Sequence, residues 1–307
     1  MVGAGGVGGY FGARLAQAGE DVVFIARGEH LRAIRERGLR LSSVQGDAHV
    51  VDARAVADPA DAGPVDAVLV AVKAWQVSEV APSLEALIGP ETFFVPLENG
   101  VEAPQQLADV LGRERVLGGL CAIISYIQEP GVIRHAGYTP MVAFGELDGS
   151  RSDRSEALLQ VFRDAGVEAS IPEDIHVAMW RKFMFITSFS GVAAVARVPA
   201  GQIRAIPQTK RLVQDAIGEV AAVARARGIA LPEGAEDETM GMFMGLPDDA
   251  TASMQRDIMD GRPSELEAQN GAVVRLGAEV SVPTPTHAFV LAALLPLERA
   301  ARIGSGS

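Results

Sequence analysis

The chain has 307 residues, 48% of them apolar, enough to bury a sizeable core and more than a single domain usually holds. Its formal net charge of −12, with no basic patch to offset it, excludes a general affinity for nucleic acid or an anionic membrane surface. The lone Cys121 excludes an intrachain disulfide, and five scattered histidines have no metal-ligand spacing; with no signal-peptide pattern and no apolar run of bilayer length, the expected compartment is the cytoplasm.

The first element is a glycine turn. Met1 and Val2 lead directly into Gly3-Ala4-Gly5-Gly6-Val7-Gly8, a G-x-G-x-x-G pattern that is a weak signal by itself in a chain with 33 glycines. Its context strengthens it. Helical spacing follows at Tyr10, Phe11 and Leu15, then Gly19, then the apolar run Val22 to Ile25, the order that a mononucleotide-binding half requires. Such glycines let the backbone approach a pyrophosphate, and the helix N-terminus offers N–H groups and partial positive charge. The short leader predicts a first strand of only two or three residues.

The end of the next strand bears on which dinucleotide is bound. NAD sites usually place Asp or Glu there, whereas this chain reads Ile25-Ala26-Arg27-Gly28. Arg27 offers a planar cationic fork suited to a 2′-phosphate, and Lys73, after the strand Ala67 to Val72, is a second cation for the same edge; together they favour NADPH over the plainer reading of solvated loop charges. A third apolar run, Thr92 to Leu97, completes a βα alternation that predicts a mainly parallel sheet, with further strands, some antiparallel, around Arg115 to Ser125, Gly131 to His135 and Met141 to Glu146.

After Pro172 the strands stop, and Ile175 to Ala196, Gln208 to Gly228, Thr251 to Met259 and Ser264 to Ala278 read as helices. The expected domains are therefore 1–171 and 172–303, with 304–307 a flexible tail. In the first of these helices Ile175, Met179, Lys182 and Ile186 share one stripe. A lysine buried there would have a lowered pKa suited to proton transfer; a snorkelling lysine is the structural alternative. The apolar C-terminal helices are consistent with a homodimer surface or with an internal core, and the sequence does not separate the two.

In order and spacing, the glycine loop, Ala26-Arg27-Gly28, Val72-Lys73-Ala74-Trp75, Leu97-Glu98-Asn99-Gly100, Trp180-Arg181-Lys182-Phe183 and Ser253 followed by Glu265 resemble the ketopantoate reductases, the 2-dehydropantoate 2-reductases. The resemblance covers nearly the whole chain. It implies an α/β, Rossmann-type NADP-binding domain followed by an all-helical C-terminal domain, with NADPH and a small 2-oxo acid in the cleft between them. It further implies reduction of 2-dehydropantoate to (R)-pantoate for pantothenate and coenzyme A biosynthesis. By position it implies Lys182 as general acid, Asn99 at nicotinamide and substrate, Ser253 on the substrate, and Glu265 near the nicotinamide ribose and reaction centre.

Each role has a plain competitor. Asn99-Gly100 is a common turn pair, Ser253 fits an exposed helix position, and Ser264-Glu265-Leu266-Glu267 fits a capping box. The chain also departs from the family where asparagines commonly stand four and eight residues after the lysine: here those places are Ile186 and Ser190, the latter kept as a substrate-side residue. A further asparagine is replaced near Val198-Pro199-Ala200-Gly201. Hydride chemistry survives these changes better than ketopantoate specificity. A reductase of another 2-oxo acid, or a weakly catalytic NADP(H)-binding redox sensor, are the alternatives.

Overall fold

The structure, a computed structural model, describes residues 1–304; of the expected tail, residues 305–307 lie outside the described residues, and Gly304 closes the last helix. The chain divides into two compact units, one of residues 1–98 and 103–175, the other of residues 99–102 and 176 onward.

The first unit runs α1 (Gly6–Gln17), β1 (Val23–Ile25), α2 (Gly28–Arg37), β2 (Leu39–Ser43), β3 (Ala48–Val50), β4 (Arg54–Val56), β5 (Val65–Val70), α3 (Val77–Val80), β6 (Ile88–Pro96), α4 (Ala103–Leu111), β7 (Leu117–Glu129), β8 (Val132–Glu146), α5 (Asp153–Asp164) and β9 (Glu168–Ser170). The expected short first strand is a single bridged residue. Val2 pairs in parallel with Ile25 of β1 on one side and Val70 of β5 on the other, while β1 pairs with β4 and β5 with β6. The resulting order, β4, β1, Val2, β5, β6, is that of a doubly wound sheet with its ligand edge at the central strand. Short as it is, the leader is hydrogen-bonded on both sides: Val2 N–H donates to Leu69 and Gly3 N–H to Ile25, at 2.8 and 3.0 Å.

A second, mixed sheet backs α1. The hairpin of β7 and β8 forms its centre; β8 also pairs in parallel with β2 through its first half and with β9 through its second. Two cores result. Phe11, Phe144 and Phe162, each fully buried, pack between α1, α5 and the mixed sheet, and Val70, Val77, Leu84, Phe94 and Leu107 fill the other face of the parallel sheet.

The second unit is helical: α6 (Ile175–Ala196), α7 (Ala200–Ala205), α8 (Pro207–Ala226), α9 (Ala235–Met244), α10 (Ser253–Met259), α11 (Asn270–Glu279) and α12 (Pro285–Gly304). Helix α6 has the bounds that its apolar run predicts. The helix expected from Ser264 begins only at Asn270, because residues 265–269 form a turn in which Gly271 N–H reaches back to the Leu266 carbonyl at 3.0 Å. The capping box is likewise replaced. Ser264 gives both its N–H and its hydroxyl to Glu298 of α12, the N–H at 2.9 Å, and its hydroxyl accepts from Leu266 N–H.

Candidate active site

In the first unit, the three glycines of the G-x-G-x-x-G pattern do different work. Gly3 has φ +87°, and a Cβ there would lie 2.9 Å from the Ala71 carbonyl oxygen. A Cβ at Gly8 would overlap the Gly3 carbonyl, so α1 packs against the loop only as glycine allows. Gly6 is pressed in the same way against the Ser125 carbonyl of β7. Gly5, the N-cap of α1, has no protein atom within 4 Å of its Cβ position. The helix has no side-chain cap and no acidic residue in its first turn, leaving its N–H groups to an anion. Crowding where the fold needs glycine and open space at the middle glycine together fit a dinucleotide pyrophosphate.

Arg27 and Lys73 are exposed and follow β1 and β5, the two strands that flank Val2, so they emerge on either side of the glycine loop. The Lys73 ammonium lies 5.8 Å from the Trp75 ring centre. A residue that sequence reasoning missed ties the loop down. Half-buried His30 of α2 donates from Nε2 to the Ala4 carbonyl at 2.8 Å, while its Nδ1 accepts from Gly131 N–H, in the β7–β8 turn, at 3.1 Å. A backbone donor on Nδ1 requires the neutral Nε2–H tautomer, and burial lowers the His30 pKa in the same sense. Its one sequence signal is its place in the first turn of the helix that follows Arg27.

In the second unit, Asn99, Ser190 and Glu265, drawn from distant parts of the chain, are joined by a fourth side chain. Ser190 of α6 donates its hydroxyl to Gln269 Oε1 at 2.7 Å. Gln269 Nε2 donates to Glu265 Oε2 at 3.4 Å, and Asn99 Nδ2 donates to the same oxygen at 2.9 Å. Ser190 and Gln269 are fully buried, Glu265 nearly so, and Asn99 half-buried at the accessible end of the relay. Gln269 was missed because an amide in a polar stretch, two residues after Glu267, reads as helix surface. It sits inside because the 265–269 turn swings it inward.

The turn is anchored from behind. Beyond its two bonds to Ser264, Glu298 is paired with Arg302 at 2.7 Å, and Arg302 also donates to the Ser264 carbonyl at 3.2 Å. On the adjoining face of α6, the absence of a Cβ at Gly191 lets the Asn270 amide pack against the helix. That amide donates to Nδ1 of fully buried His287 at 2.9 Å, and His287 Nε2 donates to the Ala216 carbonyl at 3.1 Å, which again fixes a neutral ring.

Lys182 is half-buried on α6, between buried Met179 and Phe183, so it falls between the buried and the snorkelling lysine that the sequence leaves open. Ser253, also half-buried, is the first residue of α10. Gly100, with φ +119°, makes the expected turn beside Asn99, so the turn and the side-chain bond to Glu265 coexist.

Two family models match in succession: Ketopantoate reductase PanE/ApbA over residues 1–149, and its C-terminal counterpart over residues 174–298. The chain belongs to the ketopantoate reductase family. It is 31% identical to an uncharacterized oxidoreductase, YkpB, of Bacillus subtilis, across 96% of each chain. It is also 31% identical to a 2-dehydropantoate 2-reductase of Mesorhizobium japonicum, across 95% of each. A crystal structure of 2-dehydropantoate 2-reductase from Geobacter metallireducens superposes with a TM-score of 0.88 at 31% identity, covering 96% of this chain and 98% of that one. Ketopantoate reductases are NADPH-dependent oxidoreductases, and the α/β plus helical architecture described above is theirs. Among the described residues no helix is long and apolar enough to cross a membrane, and no cluster of His, Cys, Asp and Glu has the makings of a metal site.

Proposed function

We propose that the protein reduces a 2-oxo acid to a 2-hydroxy acid with NADPH, with 2-dehydropantoate to (R)-pantoate, the family's reaction on the way to pantothenate and coenzyme A, as the first substrate to test. The observation that carries this reading is the bond between Asn99 and Glu265, residues 166 positions apart that the family resemblance assigns to one reaction centre. The glycine loop, from Gly3 through Ala4, Gly5, Gly6 and Val7 to Gly8, would hold the pyrophosphate, Arg27 and Lys73 the 2′-phosphate, and Glu265 the nicotinamide ribose. When bound, NADPH supplies the hydride that adds to C2 of the substrate.

The side chains do the rest. Negative charge building on the carbonyl oxygen is stabilised by the Lys182 ammonium, which gives that oxygen its proton and completes the alcohol. Ser253 opens α10, where its hydroxyl suits the substrate carboxylate. Asn99, with one amide N–H committed to Glu265, keeps its other N–H and its carbonyl oxygen for the ligands. Ser190 acts through Gln269 in this reading, as a positioning residue. A homodimer belongs to the same reading, supported by exposed Phe289, Leu297 and Ile303 on α12 and checked by the mass in solution.

Steady-state NADPH oxidation across a panel of 2-oxo acids tests the proposal. Turnover that falls by roughly 100-fold or more in Lys182→Ala, with NADPH binding retained, supports a general acid at that position. Arg27→Ala is expected to weaken NADPH by about 1–3 kcal/mol and to leave NADH nearly unchanged; equal losses for the two would give the arginine another role. Tight NADPH binding without turnover on any acid would favour the redox sensor, the reading that half-buried Ile186 and fully buried Ser190 keep open.

A further inference from the structure

Side chains three and four residues from Lys182 along α6 are its nearest neighbours on the helix surface. They are Ala178, Met179, Phe185 and Ile186, of which Ala178, Phe185 and Ile186 are partly accessible and Met179 is buried. All four are apolar. The next hydroxyl on this stripe, Ser190, is fully buried and donates its hydrogen bond to Gln269. Gln269 is itself fully buried, with its oxygen on Ser190 and its nitrogen on Glu265. Thr187 and Ser188 are buried on other faces of the helix. At the positions three and four residues from Lys182, α6 therefore offers no side-chain donor or acceptor, and exposed Arg181, one position back, is paired with Glu238.

A substrate whose carbonyl oxygen meets Lys182 lays the carbon chain beyond C2 along this surface. An alkyl chain loses nothing there. A hydroxyl lying against α6 gives up its water and finds no partner on this helix, which costs on the order of tenfold in kcat/KM. We infer that the protein selects 2-oxo acids with an alkyl chain beyond C2 over 2-oxo acids that carry a hydroxyl on that chain, with Ile186 as the specificity-determining residue. The inference rests on the proposed 2-oxo acid reduction. It makes 2-dehydropantoate a poorer substrate than its own deoxy analogue.

That pair is the test. 2-Dehydropantoate and 3,3-dimethyl-2-oxobutanoate share one carbon skeleton and differ by one hydroxyl. With the intact protein and NADPH, kcat/KM is expected to favour the dimethyl acid by about tenfold or more; equal values, or a preference for 2-dehydropantoate, would overturn the inference. Ile186→Asn returns an amide to the stripe and is expected to narrow that ratio by about tenfold through a gain on 2-dehydropantoate; Ile186→Thr, a smaller change of volume, is expected to move it the same way by less. An unchanged ratio in folded Ile186→Thr would remove Ile186 from the role.

Binding provides a readout without turnover. Ligand-observed NMR of the two product acids, pantoate and 2-hydroxy-3,3-dimethylbutanoate, in the presence of NADP⁺ is expected to rank them in the same order, and the reverse order would contradict the inference. Failure to reduce either acid counts against the proposed function, and the order of product binding then still decides the preference.

Discussion

The glycine loop of the first unit and the polar relay of the second use the chain in opposite ways. The loop works with backbone: Gly3, Gly5 and Gly8 stand within six residues, and their task is to have no side chain. The relay works with side chains from three segments, Asn99 after β6, Ser190 in α6, and Glu265 with Gln269 in the turn before α11. A site of the first kind is written locally and shows as a motif. A site of the second kind exists only once helices have packed.

Substitutions can separate the two. The largest effect is expected from Gly8→Ala, whose methyl would overlap the Gly3 backbone carbonyl, an atom that cannot turn away as a side chain would. The loss of stability should reach the upper end of the usual 1–3 kcal/mol for overpacking, or exceed it, in urea unfolding. Gly5→Ala sharpens the contrast: nothing in the protein opposes that methyl, so stability should stay within about 0.5 kcal/mol while NADPH affinity drops, as read by cofactor fluorescence. If Gly5→Ala binds NADPH normally, the open side of the loop is not the pyrophosphate side.

In the relay, Gln269→Leu is expected to cost about 1–3 kcal/mol, because it strands the buried Ser190 hydroxyl and removes a donor from Glu265. The double variant with Ser190→Ala removes the stranded hydroxyl and should recover part of the stability. A single variant as stable as the parent would show that the relay is not held by Gln269.

The smallest expected effect is one of pH. His287 is fully buried, hydrogen-bonded as the neutral ring, and its pKa is lowered by burial, so between the ordinary value near 6.5 and its folded value the unfolded chain binds more protons. Stability from this group is thus complete above pH 6.5 and is lost as pH falls through the folded pKa. His30, whose pKa is also lowered by burial, adds in the same direction. Urea midpoints recorded from pH 7.5 down to 5 should decline below about 6.5, and His287→Gln should flatten that decline.

Much of this was legible in the residues. The βα alternation, the change to helices after Pro172, and the bounds of α6 follow from apolar periodicity and from proline and glycine breaks. In the second unit three helices, α7, α9 and α12, were not read. The third contains Pro296, so there local propensity opposes what packing against α8 imposes. The late start of α11 was hidden as well, because Ser264 looks like a cap for its own helix until Glu298, 34 residues further on, takes its N–H and hydroxyl.

By itself, then, the order of residues determined the glycine turn, the cations that follow β1 and β5, and the lysine on an apolar stripe, since each depends on neighbours within a few positions. Only the tertiary structure decided that Ser190 turns to Gln269 instead of a ligand, that His30 holds the Ala4 carbonyl, and that Asn99 and Glu265 meet. The reason is physical. A buried polar group must find a partner wherever the fold brings one, and sequence distance places no limit on where that partner lies.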